Sequence, residues 1–127
     1  MVKPKLLLVD DDKNALDGLK KILTRSGYAV SGVISGDTAL DILLRKKFDI
    51  IITDLNLPGM GGLTLIQEIR KRKLPVSIIV ITAYDADIAL NTKKYGVDDY
   101  LAKPVNVDEL ELVLEKLWEN QKPVDTF

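Results

Sequence analysis

The sequence predicts an α/β fold, a doubly wound arrangement in which five parallel strands form one sheet and helices cover both of its faces. Short apolar runs alternate along the chain with amphipathic stretches of helical period, which is typical of repeated βαβ units. The runs have no polar residue at every second position, as expected for strands that are buried on both faces. The 127 residues suffice for one domain. We expect the domain to span residues 1–120, with residues 121–127 as a C-terminal tail or the start of a linker.

The first half of the chain is predicted to form two strands and two helices in alternation. Residues 5–9 are a continuous apolar run and should form the first strand. A helix is expected over residues 13–26, since Gly27 follows it and one stripe is apolar: Ala15, Leu16, Leu19, Ile22 and Leu23. Residues 28–33 resemble a second strand, and residues 35–37 a loop. The second helix is expected over residues 38–46, with Ala39, Leu40, Leu43 and Leu44 facing inward.

The second half continues the alternation. A third strand is expected at residues 49–53, and a glycine-rich loop over residues 57–62 separates it from a helix at residues 63–72. Pro75 ends that helical pattern, and residues 76–81 should form the fourth strand. A fourth helix is expected at residues 86–95, although its apolar face is only Ile88, Ala89 and Tyr95. The fifth strand (residues 99–102) and fifth helix (residues 107–120) complete the alternation.

Composition excludes several classes of function. The chain has no Cys and no His, so thiol nucleophiles, imidazole metal ligands and histidine phosphocarriers are excluded. A formal net charge of −1 gives no electrostatic reason to bind nucleic acid, and we expect no direct nucleic-acid contact from these residues. No apolar run approaches membrane-spanning length, so no membrane association is expected. The lack of cysteine agrees with a cytoplasmic location, which we also expect.

Polar side chains follow four of the five predicted strands. Residues 10–12 are three aspartates after the first strand, Asp54 follows the third, Thr82 the fourth and Lys103 the fifth. In the flavodoxin-like strand order 2-1-3-4-5, ligands bind beyond the carboxyl ends of the strands, between strands one and three. An acid cluster, a hydroxyl and an ammonium at that edge suit a magnesium-assisted phosphoryl acceptor.

These motifs resemble those of bacterial response-regulator receiver domains, over residues 5 to about 120. The resemblance rests on five motifs in the right order and at the right separations. They are the tandem acids Asp10 and Asp11, the phosphoacceptor Asp54 with Leu57-Pro58-Gly59-Met60 after it, the hydroxyl residue Thr82, the aromatic Tyr100, and Lys103-Pro104. The family often has an acid or a small polar residue where Gly61 stands, and often Ala where Thr92 stands.

The resemblance implies roles for the site residues. Asp54 is the nucleophile that becomes an acyl phosphate. Asp11, Asp54 and the backbone carbonyl of Asn56 ligate Mg²⁺ (or Mn²⁺), while Asp10 holds a metal-bound water. Lys103 and Thr82 hold phosphoryl oxygens and so act with Asp54 in catalysis. Without metal, the crowded carboxylates should raise the pKa of at least one of them.

The resemblance also implies a switch. Thr82 moves toward the phosphoryl group, Tyr100 turns inward, and the surface formed by the fourth helix, fifth strand and fifth helix changes.

The resemblance implies two further features of the site. Asn56 and Tyr84 flank the path of hydrolytic water, and the Lys103–Pro104 peptide bond is cis.

The partners implied are a sensor histidine kinase or a histidine phosphotransfer protein, since the chain has no His of its own. The first helix and the loops around the site are expected to form the recognition surface. A homodimer through the fourth helix, fifth strand and fifth helix is a further expectation for the phosphorylated form. The protein is then a signalling module and no enzyme beyond its own phosphoryl transfer and dephosphorylation. It either stands alone or precedes a DNA-binding or ATPase output domain.

Two other functions stay open from the sequence. A small haloacid-dehalogenase-type phosphatase also uses an aspartate after its first strand with a second acid two residues on, and Asp10 and Asp12 supply that pair. An interaction module independent of phosphorylation could share the same fold. Asp12 is more simply explained as the residue that starts the first helix.

Overall fold

Five strands and four helices make up the parts of the chain that the structure, a computed structural model, describes: residues 2–83 and 94–121. The strands are β1 (Lys5–Val9), β2 (Ala29–Val33), β3 (Ile50–Asp54), β4 (Ser77–Thr82) and β5 (Asp99–Ala102). The helices are α1 (Lys13–Arg25), α2 (Gly36–Arg45), α3 (Gly62–Lys71) and the C-terminal helix (Val107–Gln121). All strand pairs are parallel, and the order β2-β1-β3-β4-β5 confirms the predicted fold class.

Helices pack on both faces of the sheet, because successive strand side chains point to opposite sides. One face packs against α2 and α3 and buries Leu7, Val9, Ile51, Ile78, Val80, Leu40, Leu65 and Ile69. The other face packs against α1 and the C-terminal helix and buries Leu6, Leu8, Ile52, Ile79, Leu16, Leu23, Leu110 and Leu114. This double cover explains why the strands are continuous apolar runs.

Some predicted details of the helices are wrong. Helix α2 begins at Gly36, so residues 36 and 37 are not loop, because the Ser35 hydroxyl caps the helix by accepting from the Thr38 amide at 3.3 Å. In α1, Ala15 and Ile22 belong to the apolar stripe of the sequence, yet the structure leaves both exposed, Ile22 by 40%. Leu44 in α2 is likewise 51% exposed. An apolar stripe of four or five residues is wider than the strip that each of these helices buries.

The C-terminal helix extends one residue into the predicted tail. Gln121 is its last residue, and its side-chain amide donates to the Asp49 carbonyl at 2.8 Å and the Ser77 hydroxyl at 2.5 Å. The Trp118 indole also donates to the Val2 carbonyl at 3.2 Å. These bonds hold the end of the helix against the edge where β3 and β4 begin.

Arg70 connects α3 to the segment that enters β5. Its guanidinium donates to the Gly96 carbonyl at 2.8 and 3.0 Å, to the Val76 carbonyl at 2.9 Å and to Asp98 at 3.0 Å. Asp98 also accepts from the Ile78 amide at 2.7 Å. The position of β5 beside β4 is therefore fixed by a charged hydrogen-bond network as well as by strand pairing.

The fourth predicted helix, residues 86–95 with Ile88 and Ala89, lies almost entirely outside the described residues, as does Thr92. Across residues 2–83 and 94–121, no helix has the length and apolar character needed to cross a membrane.

Candidate functional site

Three aspartates converge where β1 and β3 end. Val9 pairs with Thr53 in the parallel register, so the residues that follow, Asp10 and Asp54, emerge side by side. Each of Asp10, Asp11 and Asp54 offers a carboxylate oxygen, and these oxygens all lie within 4.8 Å of one another. A set of hard oxygen donors on neighbouring residues fits Mg²⁺ or Mn²⁺.

Asp54 is the most enclosed of the three. It is the last residue of β3, one position further than the predicted strand end, and its side chain is 7% exposed. One carboxylate oxygen accepts from the Asn56 amide at 2.9 Å, and the other accepts from the Lys103 ammonium at 2.5 Å. The same ammonium lies 3.8 Å from an Asp10 oxygen. A single cation therefore faces two of the three carboxylates.

The site shifts two pKa values. Burial raises the pKa of Asp10, and the charges of Asp54 and Asp11 add to this, against the opposing effects of the Asp12 amide and Lys103. The predicted rise for at least one carboxyl group is thus confirmed, although burial contributes more than crowding. For Lys103, burial lowers the pKa, but the hydrogen bond and charge of Asp54, with the charges of Asp10 and Asp11, raise it overall.

Thr82 ends β4 with its side chain buried, and its hydroxyl oxygen has no hydrogen-bond partner within the described ranges. The Thr82 carbonyl accepts from the Lys103 amide at 2.9 Å, so a backbone hydrogen bond joins Thr82 to Lys103. A buried hydroxyl without a partner costs about 1–3 kcal/mol. The Thr82 hydroxyl is therefore suited to donate a hydrogen bond to an oxygen of a bound ligand.

The remaining predicted residues surround this centre. Tyr100 is half-buried on β5 opposite Val80, and the Lys103–Pro104 peptide bond is cis. Asn56 lies in the exposed loop directly after β3. Tyr84 lies outside the described residues.

Asp12 caps α1, as predicted. Its carboxylate accepts from the amides of Asn14 at 3.0 Å and Ala15 at 3.2 Å. The phosphatase alternative needs this carboxylate as the second acid of the site, whereas here it holds the start of a helix.

An apolar groove of about 600 Å³ adjoins the acid cluster, and the sequence interpretation missed it. Ala15, Leu19 and Ile22 of α1 form one wall, and Pro104 and Val105 belong to the other. Periodicity places Ala15 and Ile22 on one apolar stripe of α1, but it does not show which residues of that stripe another helix covers. The sequence carries no signal for this gap.

Comparison with known proteins finds a matching family and related regulators. The sequence model of the family described as response regulator receiver domain matches residues 6–115. Among curated proteins, the DNA-binding transcriptional regulator NtrC of Klebsiella pneumoniae is 34% identical over 110 residues, which are 86% of this chain and 24% of that protein. The transcriptional regulatory protein TctD of Salmonella typhimurium is 36% identical over 115 residues, covering 89% of this chain and 51% of that protein. The chain therefore spans between a quarter and about half of these relatives.

A solved structure agrees over the whole domain. The receiver domain of response regulator 1452 from Francisella superposes with a TM-score of 0.90 at 30% sequence identity. The match covers 94% of this chain and all of that one.

Proposed function

The chain belongs to the response regulator receiver domain family, and on that premise we propose that Asp54 accepts a phosphoryl group from a phosphohistidine of a sensor histidine kinase or histidine phosphotransfer protein. Receiver domains are signalling domains of two-component systems. The proposed reaction needs a divalent cation, Mg²⁺ or Mn²⁺, and makes this chain a switch whose only chemistry is its own phosphorylation and dephosphorylation.

One observation carries the proposal: the buried Asp54 carboxylate lies beside the acids Asp10 and Asp11 and accepts a hydrogen bond from the Lys103 ammonium. A nucleophile needs a fixed orientation, which the Asn56 amide and Lys103 give to the two Asp54 oxygens. A core residue with a purely structural role would not need two further acids beside it. The arrangement supports phosphorylation over the interaction-module alternative.

In the proposed step, an Asp54 oxygen forms a bond to phosphorus as the phosphorus–nitrogen bond of the donor histidine breaks. The electron pair of that bond returns to the imidazole nitrogen, which takes up a proton. Asp11, Asp54 and the Asn56 carbonyl would hold the metal ion, with Asp10 acting through a bound water. When bound, the ion offsets the negative charge of the carboxylates and of the phosphoryl oxygens.

Lys103 and Thr82 would respond to the product. The Lys103 ammonium exchanges its Asp54 partner for a phosphoryl oxygen and stays paired. The Thr82 hydroxyl gains the acceptor that it lacks within the described ranges. The Lys103 amide donates to the Thr82 carbonyl. A movement of Thr82 would therefore also displace Lys103 and the end of β5, the strand that carries Tyr100. We propose Thr82 and Tyr100 as the switch residues on this basis.

The donor protein would dock on α1 and the loops around the site. The apolar groove beside the acids supports this, because Ile22 is 40% exposed and Pro104 lies next to Lys103. A helix of the donor that fills the groove brings its phosphohistidine to Asp54. Replacing Ile22 with Asp should slow phosphorylation by the kinase but not by a small phosphodonor.

The output would use the surface predicted for the fourth helix (residues 86–95), β5 and the C-terminal helix. The names of the two curated relatives favour transcription regulation as the output of a longer protein, and a cytoplasmic location accompanies that role. A homodimer of the phosphorylated form through this surface is part of the proposal. Light scattering with and without fluoroberyllate tests it, and an unchanged mass would contradict it.

Asn56 and Tyr84 are proposed to set the lifetime of the acyl phosphate by flanking the path of water. The bulk of Tyr84 should slow hydrolysis. Tyr84→Ala should therefore lose its phosphoryl group faster than the parent, and equal decay rates would contradict the assignment.

The principal experiment is incubation with a small phosphodonor, acetyl phosphate or phosphoramidate, and Mg²⁺, followed by intact mass spectrometry. The parent should gain one phosphoryl group, and Asp54→Asn should gain none. Asp12→Asn is the matched control, since it makes the same change beside the site and keeps an oxygen for the helix cap. Labelling of Asp54→Asn equal to that of the parent would refute the proposal, and so would a parent that takes no label. Continuous turnover of a phosphomonoester would favour the phosphatase.

A further inference from the structure

Two glycines let the loop that follows Asp54 make contacts that a side chain would block. A Cβ atom at Gly62 would lie 2.3 Å from the Asp54 carbonyl oxygen and 2.6 Å from the Leu55 Cα atom. A Cβ atom at Gly36, the first residue of α2, would lie 2.8 Å from the Met60 carbonyl oxygen. These distances are far below van der Waals contact, and the atoms are backbone atoms that no rotamer change can move. Both ends of the loop, residues 55–61, therefore press directly on helix starts.

The neighbouring Gly61, in contrast to Gly62, has space for a side chain. A Cβ atom at Gly61 would have no neighbouring atom within 4 Å, and the Gly61 φ of −65° is open to any residue. Gly62 is thus not simply part of a flexible stretch. Its amide also donates to the Leu55 carbonyl at 3.0 Å, which closes the loop on itself.

The atoms that Gly62 touches belong to the candidate site. The Asp54 carbonyl and the Leu55 Cα belong to the Asp54–Leu55 peptide unit, which directly precedes Asn56 in the loop. The Asn56 amide in turn donates to the Asp54 carboxylate at 2.9 Å. A methyl group at position 62 must displace α3 or this peptide, and displacement of the peptide changes where the Asp54 carboxylate and the Asn56 carbonyl point.

We propose that Gly62, supported by Gly36, is a positioning residue that fixes the Asp54 carboxylate and the Asn56 carbonyl in the orientation needed for metal binding. The inference rests on the proposed function. It assigns to the start of α3 a role in metal affinity that is separate from its role in folding.

The test compares four variants of the full chain by two readouts: the dissociation constant for Mg²⁺ alone, measured by calorimetry, and the Mg²⁺ concentration at half-maximal phosphorylation by phosphoramidate. Gly62→Ala should require about tenfold more Mg²⁺, the usual scale for loss of a group that orients a metal ligand. Gly61→Ala, the matched control one residue away, should behave as the parent does. Gln121→Ala weakens the fold at the opposite edge of the sheet and should also keep the Mg²⁺ requirement of the parent, which separates positioning from lost stability.

Gly36→Ala carries the test if Gly62→Ala does not fold, because it blocks a single backbone atom at the far end of the loop. It should raise the Mg²⁺ requirement by a smaller factor. A folded Gly62→Ala with the Mg²⁺ requirement of the parent would overturn the inference and leave the proposed function intact. An unchanged requirement in Gly36→Ala would do so where Gly62→Ala is unfolded. A parent that shows no response to Mg²⁺ would overturn both.

Discussion

Replacing Lys103 with Met should destabilise the metal-free protein, because the Lys103 ammonium pairs with two carboxylates of the acid cluster. The Nζ atom lies 2.5 Å from Asp54 and 3.8 Å from Asp10. At an effective dielectric constant of about 20, these distances correspond to gross attractions of about 7 and about 4 kcal/mol. Desolvation of the charges offsets most of this, and removal of one partner from a buried pair costs about 3–5 kcal/mol. Since the Lys103 side chain is 33% exposed and partly screened by water, we expect a loss of about 1–3 kcal/mol.

Urea unfolding with and without Mg²⁺ measures this loss. Met keeps the apolar stem of the side chain, and Lys20→Met on the exposed face of α1 controls for the general change in charge. Saturating Mg²⁺ should reduce the difference, because the metal ion also neutralises the carboxylates. Since the pKa of Lys103 is raised by its acidic partners, its stabilisation should persist at neutral pH and fade as the pH rises through that raised value. An unchanged urea midpoint without Mg²⁺ would refute the reasoning.

Three other substitutions have expected effects on unfolding free energy, each measurable by urea titration. Burial raises the pKa of Asp10, so its charged form is penalised in the folded state. Asp10→Asn should therefore stabilise the metal-free protein at neutral pH, with a gain that shrinks as the pH falls through the raised pKa and is absent below the ordinary pKa of the carboxyl group. A pH-independent effect would contradict this. Gln121→Ala removes two hydrogen bonds at the opposite edge and should cost about 1–2 kcal/mol; a loss near zero would mean that the end of the C-terminal helix is not held there. Gly61→Ser adds a cap to α3, which has none from a side chain, and should stabilise by about 0.5–1 kcal/mol. Destabilisation would contradict the open space at that position.

The strands were predictable from the sequence for a simple reason, and their order followed from the flavodoxin-like fold that the alternation of strands and helices indicates. A strand covered on both faces must be apolar at every position, so runs such as residues 50–52 and 78–81 stand out and end where polar residues begin. The parallel arrangement then brings Asp10, Asp54 and Lys103 to one edge. Their convergence is a consequence of topology and needs no knowledge of side-chain packing.

Features that depend on the spacing of helices were not predictable. The apolar stripe of α1 includes the buried Leu16 and Leu23, but Ile22 of the same stripe is 40% exposed and lines the groove. The hydrogen-bond partners of Gln121 lie 72 and 44 positions away in the sequence, so no local sequence pattern indicates these contacts. The steric demand at Gly62 is equally invisible, since neighbouring Gly61 looks the same in the sequence.

The anchoring of Gln121 at the edge where β3 and β4 begin also decides how the domain can be used as a component. The acid cluster lies at the other edge of the same sheet. A fluorophore, tag or second domain attached after the C-terminal helix would therefore extend from the side of the domain opposite the acid cluster. It would stand clear of the groove on α1 and of any donor docked there. Residue 121 is therefore a suitable junction for building fusions in which phosphoryl transfer is to proceed unhindered.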